Sequence, residues 1–334
     1  MSTEIPRQRL QDYIARRAGN AVEIRRLERL PGGAIQENWA LDIRVADGEW
    51  AGVHELVLRR NAASSVAASH GRAEEFQLLR VAAAAGVKVP QPCLLCEDTD
   101  VLGGPFFIMH RADGIAAGHR VVKSGENGDL ARDLARQLAR IHGIKPDTPE
   151  LDFLPTSNGS PALDRIEQYR AYLDALDSAR PTLEWGLAWL ERHAPKKNTT
   201  VLCHRDCRTG NYLVADGELT AVLDWEFAGW GDPLEDIGWF CAKCWRFGAT
   251  DRDAGGIADR ETFYKAYEAE SGKTIVRQRV HYWEVMAHLR WAVIACQQSA
   301  RHLSGEQPSL ELALTGHVVP ELELEILRMT KETK

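Results

Sequence analysis

Hydrophobic and polar residues alternate along the first third of the chain, and a helical period replaces that alternation further on. In Leu56-Val57-Leu58-Arg59, Val57 and Arg59 share one face, because successive side chains of a strand point to opposite sides. The patterns predict three strands over residues 22–60, two more over 92–97 and 105–110, helices over 7–17 and 71–86, and later helices over 128–143, 161–193 with a break at Pro181, 232–245, 259–271, 277–300 and 309–329.

One further hairpin is predicted in the middle of the helical part. The apolar segments 212–214 and 219–223 flank Asp216-Gly217, and an Asp-Gly pair is typical of a two-residue hairpin turn. Folding at this turn is expected to bring Asp224 close to Asn211, so that two oxygen ligands meet at the open end of the hairpin.

The residues around this hairpin carry the chemistry. His204-Arg205-Asp206 and Asn211 match the pattern H-R-D-x-x-x-x-N, in which Asp orients an acceptor hydroxyl and takes its proton while Asn holds a magnesium ion. A lone Asp or Asn in a loop is usually a turn former, so the interpretation rests on the order and spacing of these residues together with Asp224. The combination predicts phosphoryl transfer from ATP, with Mg²⁺ as cofactor.

Residues 201–240, with the continuation Gly231-Asp232-Pro233-Leu234-Glu235-Asp236, resemble the aminoglycoside phosphotransferase and choline kinase-like family of small-molecule kinases. More narrowly, the segment resembles the branch of this family that also occurs fused to acyl-CoA dehydrogenases. The resemblance implies an α+β, bilobal protein-kinase-like fold with a small antiparallel-sheet N-terminal lobe, here residues 1–112, and a larger, mainly helical C-terminal lobe, here residues 113–334.

The resemblance also assigns candidate residues around the predicted hairpin. Most members have His-Gly-Asp where this chain has His204-Arg205-Asp206, which is a departure from the family pattern. The catalytic candidates are Asp206, His204 and Arg208, the magnesium ligands are Asn211 and Asp224, and the supporting residues are Asp232, at the start of a helix, and Asp236.

Nucleotide-binding candidates lie in the first lobe. Arg59 stands where the family usually has the phosphate-binding Lys, and Glu75 stands where its ion-pair partner is expected, with Glu74 as the alternative. The remaining candidates are Met109 behind the adenine pocket, the backbone of His110 and Ala112, and the phosphate-covering loop at Gly33 and Ala34.

The segment after Asp224 argues against a protein kinase. Protein kinases place a long activation segment and an Ala-Pro-Glu motif there, whereas this chain reaches Asp232-Pro233 within a few residues and has no such motif.

Composition narrows the remaining choices. A chain of 334 residues with 44% hydrophobic content can bury two lobes. The first residues lack a signal-peptide core and no apolar run is long enough for a bilayer, so a cytoplasmic enzyme is expected. The net charge of −7 and the lack of a basic-aromatic stripe argue against nucleic acid as a partner. The two Cys-x-x-Cys pairs are too far apart in sequence for a usual zinc finger.

The expected partner is a small hydroxyl-bearing substrate, and its identity stays open. Residues 111–334 contain 28 basic and 34 acidic residues, a charge of −6 that permits a cationic aminosugar without selecting it. A hydroxyacyl-CoA acceptor, a nucleotide-binding regulator without catalysis and a metal-dependent phosphohydrolase are the alternatives. The sequence also leaves open whether the nucleotide is ATP or GTP, and whether the protein is a monomer or a homodimer. Acceptor-pocket candidates, each with core packing as the alternative role, are Trp185, Trp189, Trp245, Trp283, Trp291 and Arg290.

Overall fold

The computed structural model describes residues 5–30, 36–61, 69–157, 159–176, 178–196 and 199–331. The chain divides into two compact units. The sheet unit consists of Met1–Ile115 and Leu213–Phe227, and the helical unit consists of Ala116–Tyr212 and Ala228–Lys334. The predicted lobes, 1–112 and 113–334, are continuous in sequence, whereas the sheet unit also contains the segment after Tyr212.

Helices and strands alternate early in the chain, and the later part is mainly helical. The helices are α1 Arg7–Ala18, α2 Arg72–Ala84, α3 Thr99–Leu102, α4 Gly118–Lys123, α5 Gly128–Ile141, α6 Pro161–Asp174, α7 Pro181–Arg192, α8 Pro233–Cys241, α9 Arg260–Ser271, α10 Arg277–Leu303, α11 Leu310–Gly316 and α12 Val319–Met329. The strands are β1 Val22–Arg29, β2 Gln36–Val45, β3 Gly52–Asn61, β4 Pro92–Cys96, β5 Phe106–His110, β6 Val201–Cys203, β7 Tyr212–Ala215, β8 Glu218–Val222 and β9 Gly229–Gly231.

The sheet unit is built on an antiparallel five-stranded sheet of order β1-β2-β3-β5-β4. The alternation predicted for β3 is confirmed. Leu56 and Leu58 join Leu10 and Ile14 of α1 in a buried apolar cluster on one face. The other face carries Arg59, which pairs with α2, so the period of two separates an apolar face from the face that holds charge.

The hairpin of β7 and β8 is confirmed, and its turn has the predicted chemistry. Asp216 and Gly217 both have positive φ, 51° and 82°, as a type I′ turn requires. The Lys88 ammonium donates to the Leu219 carbonyl at 2.9 Å, and the Val222 amide donates to the Lys88 carbonyl at 2.8 Å. These bonds attach the hairpin to the rest of the sheet unit.

The helical unit packs around α10, a helix of 27 residues. Helix α8 begins where the sequence predicted, because the Asp232 carboxylate accepts from the Leu234 amide at 2.9 Å and Pro233 occupies the first turn. Gly238 allows α8 to approach α10 closely: a Cβ atom at this position would lie 2.6 Å from the backbone carbonyl carbon of Trp283. Only glycine fits this contact without displacement.

Several predicted boundaries are wrong. The helix predicted over 309–329 is two helices, because Pro320 has no amide hydrogen and its ring clashes with the preceding turn, so a new helix starts at Val319. The helix predicted over 232–245 ends at Cys241, after which Ala242 is extended and Lys243–Trp245 form a 3-10 turn. The short elements α3, α4, β6 and β9 were not predicted. No helix in the described parts of the chain combines the length and apolarity needed to cross a bilayer.

We predict that Gly238→Ala destabilises the protein by about 1–3 kcal/mol, the usual cost of overpacking, because the added methyl group forces α8 away from α10. Urea unfolding measures this change. Gly104→Ala is the matched control, since a Cβ atom there meets nothing within 4 Å. Equal stability of the two variants would contradict the close α8–α10 contact.

Candidate active site

The loop between β6 and β7 is held by one buried carboxylate of α8. Asp236 accepts from the amides of His204 at 2.7 Å and Arg205 at 2.6 Å, and its Oδ2 lies 3.1 Å from Nε2 of His142. Burial alone would raise the pKa of Asp236, but the His142 hydrogen bond and the positive or polar groups around it hold that pKa below its ordinary value. Asp236 therefore holds the backbone of this loop, and the supporting role assigned to it stays a prediction.

Asp206 follows directly and is fixed by several neighbours in the helical unit. Its Oδ1 accepts from the Trp239 indole at 3.1 Å and lies 3.5 Å from Nε of Arg208. The Asn211 side-chain amide donates to Oδ2, and the Asp206 backbone amide donates to Nδ1 of His204 at 3.2 Å. The carboxylate is 14% exposed, so it is oriented but still accessible.

Asn211 is oriented by the same contacts. Its Nδ2 also donates to the Asp206 carbonyl at 2.9 Å, so both interactions use the nitrogen end of the amide. The oxygen end, Oδ1, is the atom suited to a hard cation such as Mg²⁺. The metal role of Asn211 stays a prediction, and Oδ1 is the atom that it would use.

Arg205 has an unusual backbone conformation. Its φ of 66° lies in the left-handed region, where a side chain meets steric strain that glycine avoids. Its guanidinium donates to the Trp230 carbonyl and lies 3.9 Å from Glu235. Burial, together with the nearby Arg165 guanidinium, lowers the pKa of Arg205 to about 10. The positive φ gives a physical reason why the family that this chain resembles usually has glycine at position 205.

The sheet unit contains a separate charged group built on Arg59. Nε of Arg59 lies 3.0 Å from Glu75 on α2, and Nη1 and Nη2 each lie 3.2 Å from Oδ1 of Asp224. Glu75 is therefore the partner, while Glu74 accepts from the Gly71 amide at the start of α2. Arg60 points to the opposite face and pairs with Glu37 at 2.8 Å.

Asp224 is the accessible member of this group. Its side chain is 39% exposed, against 7% for Arg59 and 3% for Glu75, and its φ is 61°. Both hydrogen bonds from Arg59 to Asp224 go to Oδ1. Oδ2 takes part in neither of them, so it is the oxygen that a metal ion could use. A carboxylate with one oxygen oriented by an arginine fits the oxygen ligands that Mg²⁺ prefers.

Gln36, Arg72 and Trp239 were not predicted from the sequence, and Glu226 was named only as part of the matching segment Asp224-Trp225-Glu226, without a role of its own. The buried Glu226 accepts from the Gln36 side chain at 2.8 Å, and burial raises the pKa of Glu226. Arg72 pairs with Glu75 in the core of the group. The signal for Glu226 was its place two residues after Asp224, but Gln36, Arg72 and Trp239 had no motif that marked them.

The predicted adenine contacts lie at the end of β5. Met109 is buried and pairs in register with Val57 of β3. The His110 amide donates to the Gln91 carbonyl at 2.8 Å, so this amide is not available to a nucleotide. Ala112, two residues further along the chain, is half-buried. Gly33 and Ala34 lie outside the described residues.

An antiparallel five-stranded sheet with a buried Arg59–Glu75 pair, and a helical unit with an oriented Asp206–Asn211 loop, define the protein-kinase-like class of fold. The comparisons with known proteins agree. A putative aminoglycoside phosphotransferase from Ralstonia eutropha matches with a TM-score of 0.74 and 20% identity, over 99% of this chain and 100% of that chain. An aminoglycoside 2'-phosphotransferase-IIIa, solved as its GDP complex, matches with a TM-score of 0.64 and 16% identity over 96% and 99% of the two chains.

The chain belongs to the phosphotransferase enzyme family, whose model matches residues 26–274. A choline/ethanolamine kinase family protein from Mesorhizobium loti has the same fold, with a TM-score of 0.58 and 19% identity over 92% of this chain and 88% of that chain. Acyl-CoA dehydrogenase family member 10 of Mus musculus is 28% identical over 299 residues, which cover 84% of this chain but 27% of that protein. The chain therefore spans about a quarter of this relative.

We predict that Arg205→Gly is more stable than Arg205→Ala by about 1 kcal/mol, because both variants lose the same guanidinium contacts and only alanine keeps the left-handed strain. Urea unfolding at neutral pH measures the difference. At the exposed helical position Ala188, Ala188→Gly should act in the opposite direction and destabilise by about 1 kcal/mol. An Arg205→Ala variant as stable as Arg205→Gly would show that φ is not strained at this residue.

Proposed function

We propose that the protein is an ATP-dependent phosphotransferase that moves the γ-phosphate to a hydroxyl group of a small molecule, with Asp206 as the base. The observation that carries this proposal is the fixed orientation of Asp206 by Trp239, Asn211 and the Asp236-held loop. Phosphoryl transfer depends mainly on positioning and charge neutralisation, so an oriented carboxylate on a rigid loop suits it.

In the proposed reaction the acceptor hydroxyl oxygen forms a bond to the γ-phosphorus. The bond from that phosphorus to the bridging oxygen of ADP breaks, and the hydroxyl proton goes to Asp206. The products are a phosphate monoester and ADP. Arg208, 3.5 Å from Asp206, helps to position the carboxylate, and His204 accepts from the Asp206 amide to keep the loop in shape.

Asn211 and Asp224 are proposed to hold Mg²⁺ through Oδ1 and a carboxylate oxygen. Bound magnesium would neutralise charge on the phosphate oxygens of the nucleotide. Arg59 is proposed to contact those phosphates while Glu75 keeps it in place. Met109, the carbonyl of His110 and the backbone of Ala112 are proposed to contact the adenine, because the His110 amide already donates to Gln91.

Three other functions are alternatives to this proposal, and experiments can distinguish them from it. A hydroxyacyl-CoA acceptor is suggested by the acyl-CoA dehydrogenase relative, although this chain covers only part of that protein. A nucleotide-binding regulator would bind ATP without turnover, and a phosphohydrolase would turn ATP over without any alcohol. ATP consumption measured with and without a panel of alcohols separates these possibilities.

We predict that Asp206→Asn lowers kcat by ~10²–10⁴, the usual loss when a general base is removed, with ATP affinity nearly unchanged. Steady-state kinetics and ATP titration measure the two quantities. Asp216→Asn is the matched control: it makes the same chemical change at an exposed hairpin turn, and asparagine tolerates the positive φ there. Full turnover by Asp206→Asn would remove Asp206 as the base.

We also predict that Arg59→Lys keeps measurable activity and that Arg59→Met loses roughly 10- to 100-fold in kcat/KM, through raised ATP KM and lowered kcat. As a free energy, this loss in kcat/KM is about 1.5–3 kcal/mol, which is the usual contribution of hydrogen bonds to a charged group. Lysine keeps the charge but not the planar fork that reaches Glu75 and Asp224 together.

Arg60→Met is the control for this strand, because Arg60 lies on the opposite face and pairs with Glu37. Circular dichroism checks that each variant is folded. If Arg60→Met abolished activity and Arg59→Met left the kinetics intact, the phosphate-binding role would belong to Arg60.

A further inference from the structure

Helix α5 carries a row of three arginines. Its sequence repeats Leu-Ala-Arg every four residues, which places Arg132, Arg136 and Arg140 next to one another along one side of the helix. Like charges at this spacing destabilise a helix, so the row has an energetic cost. Arg132 lies 2.7 Å from Asp129, and Arg140 lies 2.9 Å from Glu270 of α9. Among the described residues, Arg136 has neither an ion pair nor a hydrogen bond.

A groove lies between this row and helix α9. It has a volume of about 390 Å³, and its lining residues are Arg132, Arg136, Thr262, Lys265, Ala266, Ala269 and Glu270. Lys265 is exposed, as is Arg136, and it also has no ion pair or hydrogen bond within the described parts of the chain. The lining therefore has three positive groups and one negative group, and that carboxylate is already paired with Arg140. The groove is positive although the chain carries a net charge of −7.

The two walls of the groove are held together by contacts between α5 and α9. Nδ1 of His142, the residue that follows α5, lies 2.8 Å from the hydroxyl oxygen of Tyr267 on α9, and both side chains are buried. The Arg140–Glu270 ion pair is a second link between the same helices. A groove with fixed walls loses little conformational freedom when a ligand binds, which favours binding.

We propose that this groove binds a small soluble anion with two or more phosphate groups, which bridges Arg136 of α5 and Lys265 of α9. A guanidinium group can donate two parallel hydrogen bonds to a phosphate, and two phosphates allow one ligand to reach both helices. The volume is in the range of small-molecule sites, which favours a small anion over an extended polymer. The described residues that line the groove include none of those proposed for catalysis, so this site goes beyond the phosphotransferase function.

Calorimetry with pyrophosphate tests the proposal, in EDTA and at low salt so that magnesium-dependent binding does not contribute. The wild type should bind pyrophosphate at least about tenfold more tightly than orthophosphate, because a single phosphate group reaches fewer of the cations. Added salt should weaken the binding, since exposed charges are screened. Citrate carries a similar charge on carboxylates and should bind more weakly than pyrophosphate. Tighter binding of citrate would overturn the assignment of a phosphate ligand.

Two substitutions locate the ligand. Arg136→Gln and Lys265→Gln should each raise the Kd for pyrophosphate about three- to tenfold, and the double variant should show no detectable binding. Arg80→Gln is the matched control, because Arg80 is an exposed arginine of helix α2 that does not line the groove. It should bind as the wild type does. Without ligand, Arg136→Gln should melt at or above the temperature of the wild type, because it removes a charge from a row of like charges.

Arg59→Met separates this groove from the proposed nucleotide site, which would also contact phosphates. This variant should keep the pyrophosphate binding that the double variant loses. The reverse pattern, with binding lost in Arg59→Met and kept in the double variant, would place pyrophosphate in the sheet unit and overturn the proposal. Absence of binding to the wild type, or an equal loss in Arg80→Gln and Arg136→Gln, would also overturn it. The phosphotransferase function is unaffected by each of these results, because it is measured by ATP consumption with an alcohol.

Discussion

The buried carboxylate of Asp236 is the constraint on which the loop that carries Asp206 depends. Two consecutive amides, those of His204 and Arg205, donate to it, and they can converge on one carboxylate because Arg205 has a left-handed backbone. The loop conformation then directs Asp206 toward Trp239. Because a buried amide without a partner costs about 1–3 kcal/mol, the carboxylate offsets the strain at Arg205. Position 236 in turn is set by the helix start at Asp232, so the loop geometry depends on where α8 begins.

In the sheet unit, the arginine at position 59 makes contacts that a lysine at the same position could not make. Its planar group contacts Glu75 through Nε and Asp224 through both terminal nitrogens, which a single ammonium group could not match. Burial would lower the pKa of Arg59, but the carboxylates of Glu75 and Asp224 raise it, so the group stays charged. Glu226 adds a third carboxyl group, whose pKa is raised by burial. A cation bound at Asp224 would relieve this local excess of acidic groups.

A local rule determines the structure at the positions that were predicted correctly from the sequence. The period of two placed Arg59 and Arg60 on opposite faces of β3, Asp216-Gly217 fixed the hairpin turn, and Asp232-Pro233 fixed the start of α8. Each of these depends on neighbours within a few residues. The nucleotide and metal roles of the named residues stay predictions.

Contacts between distant parts of the chain determine the structure at the positions that were not predicted from the sequence. The Gln36–Glu226 hydrogen bond joins residues 190 positions apart, and the Trp239–Asp206 bond joins residues 33 apart. No pattern along the chain encodes either contact, since each depends on tertiary packing. The break between α11 and α12 is different: Pro320 carried the signal, and the apolar period on both sides of it concealed the break.

The charge near Asp206 shows why composition is a poor guide to the acceptor. Residues 111–334 carry a net charge of −6, which by itself would permit a cationic substrate. Charges separated by more than about 8–10 Å are largely screened at physiological salt, so an acceptor responds mainly to the groups around the base. Those groups are Arg205, Arg208 and Arg290 together with three carboxylates: Asp206 itself, Asp236 on the Arg205 amide, and Glu235 at 3.9 Å from Arg205. Charged groups of both signs therefore surround the base, and an acceptor meets this local arrangement of ion pairs before it meets the net charge of the unit.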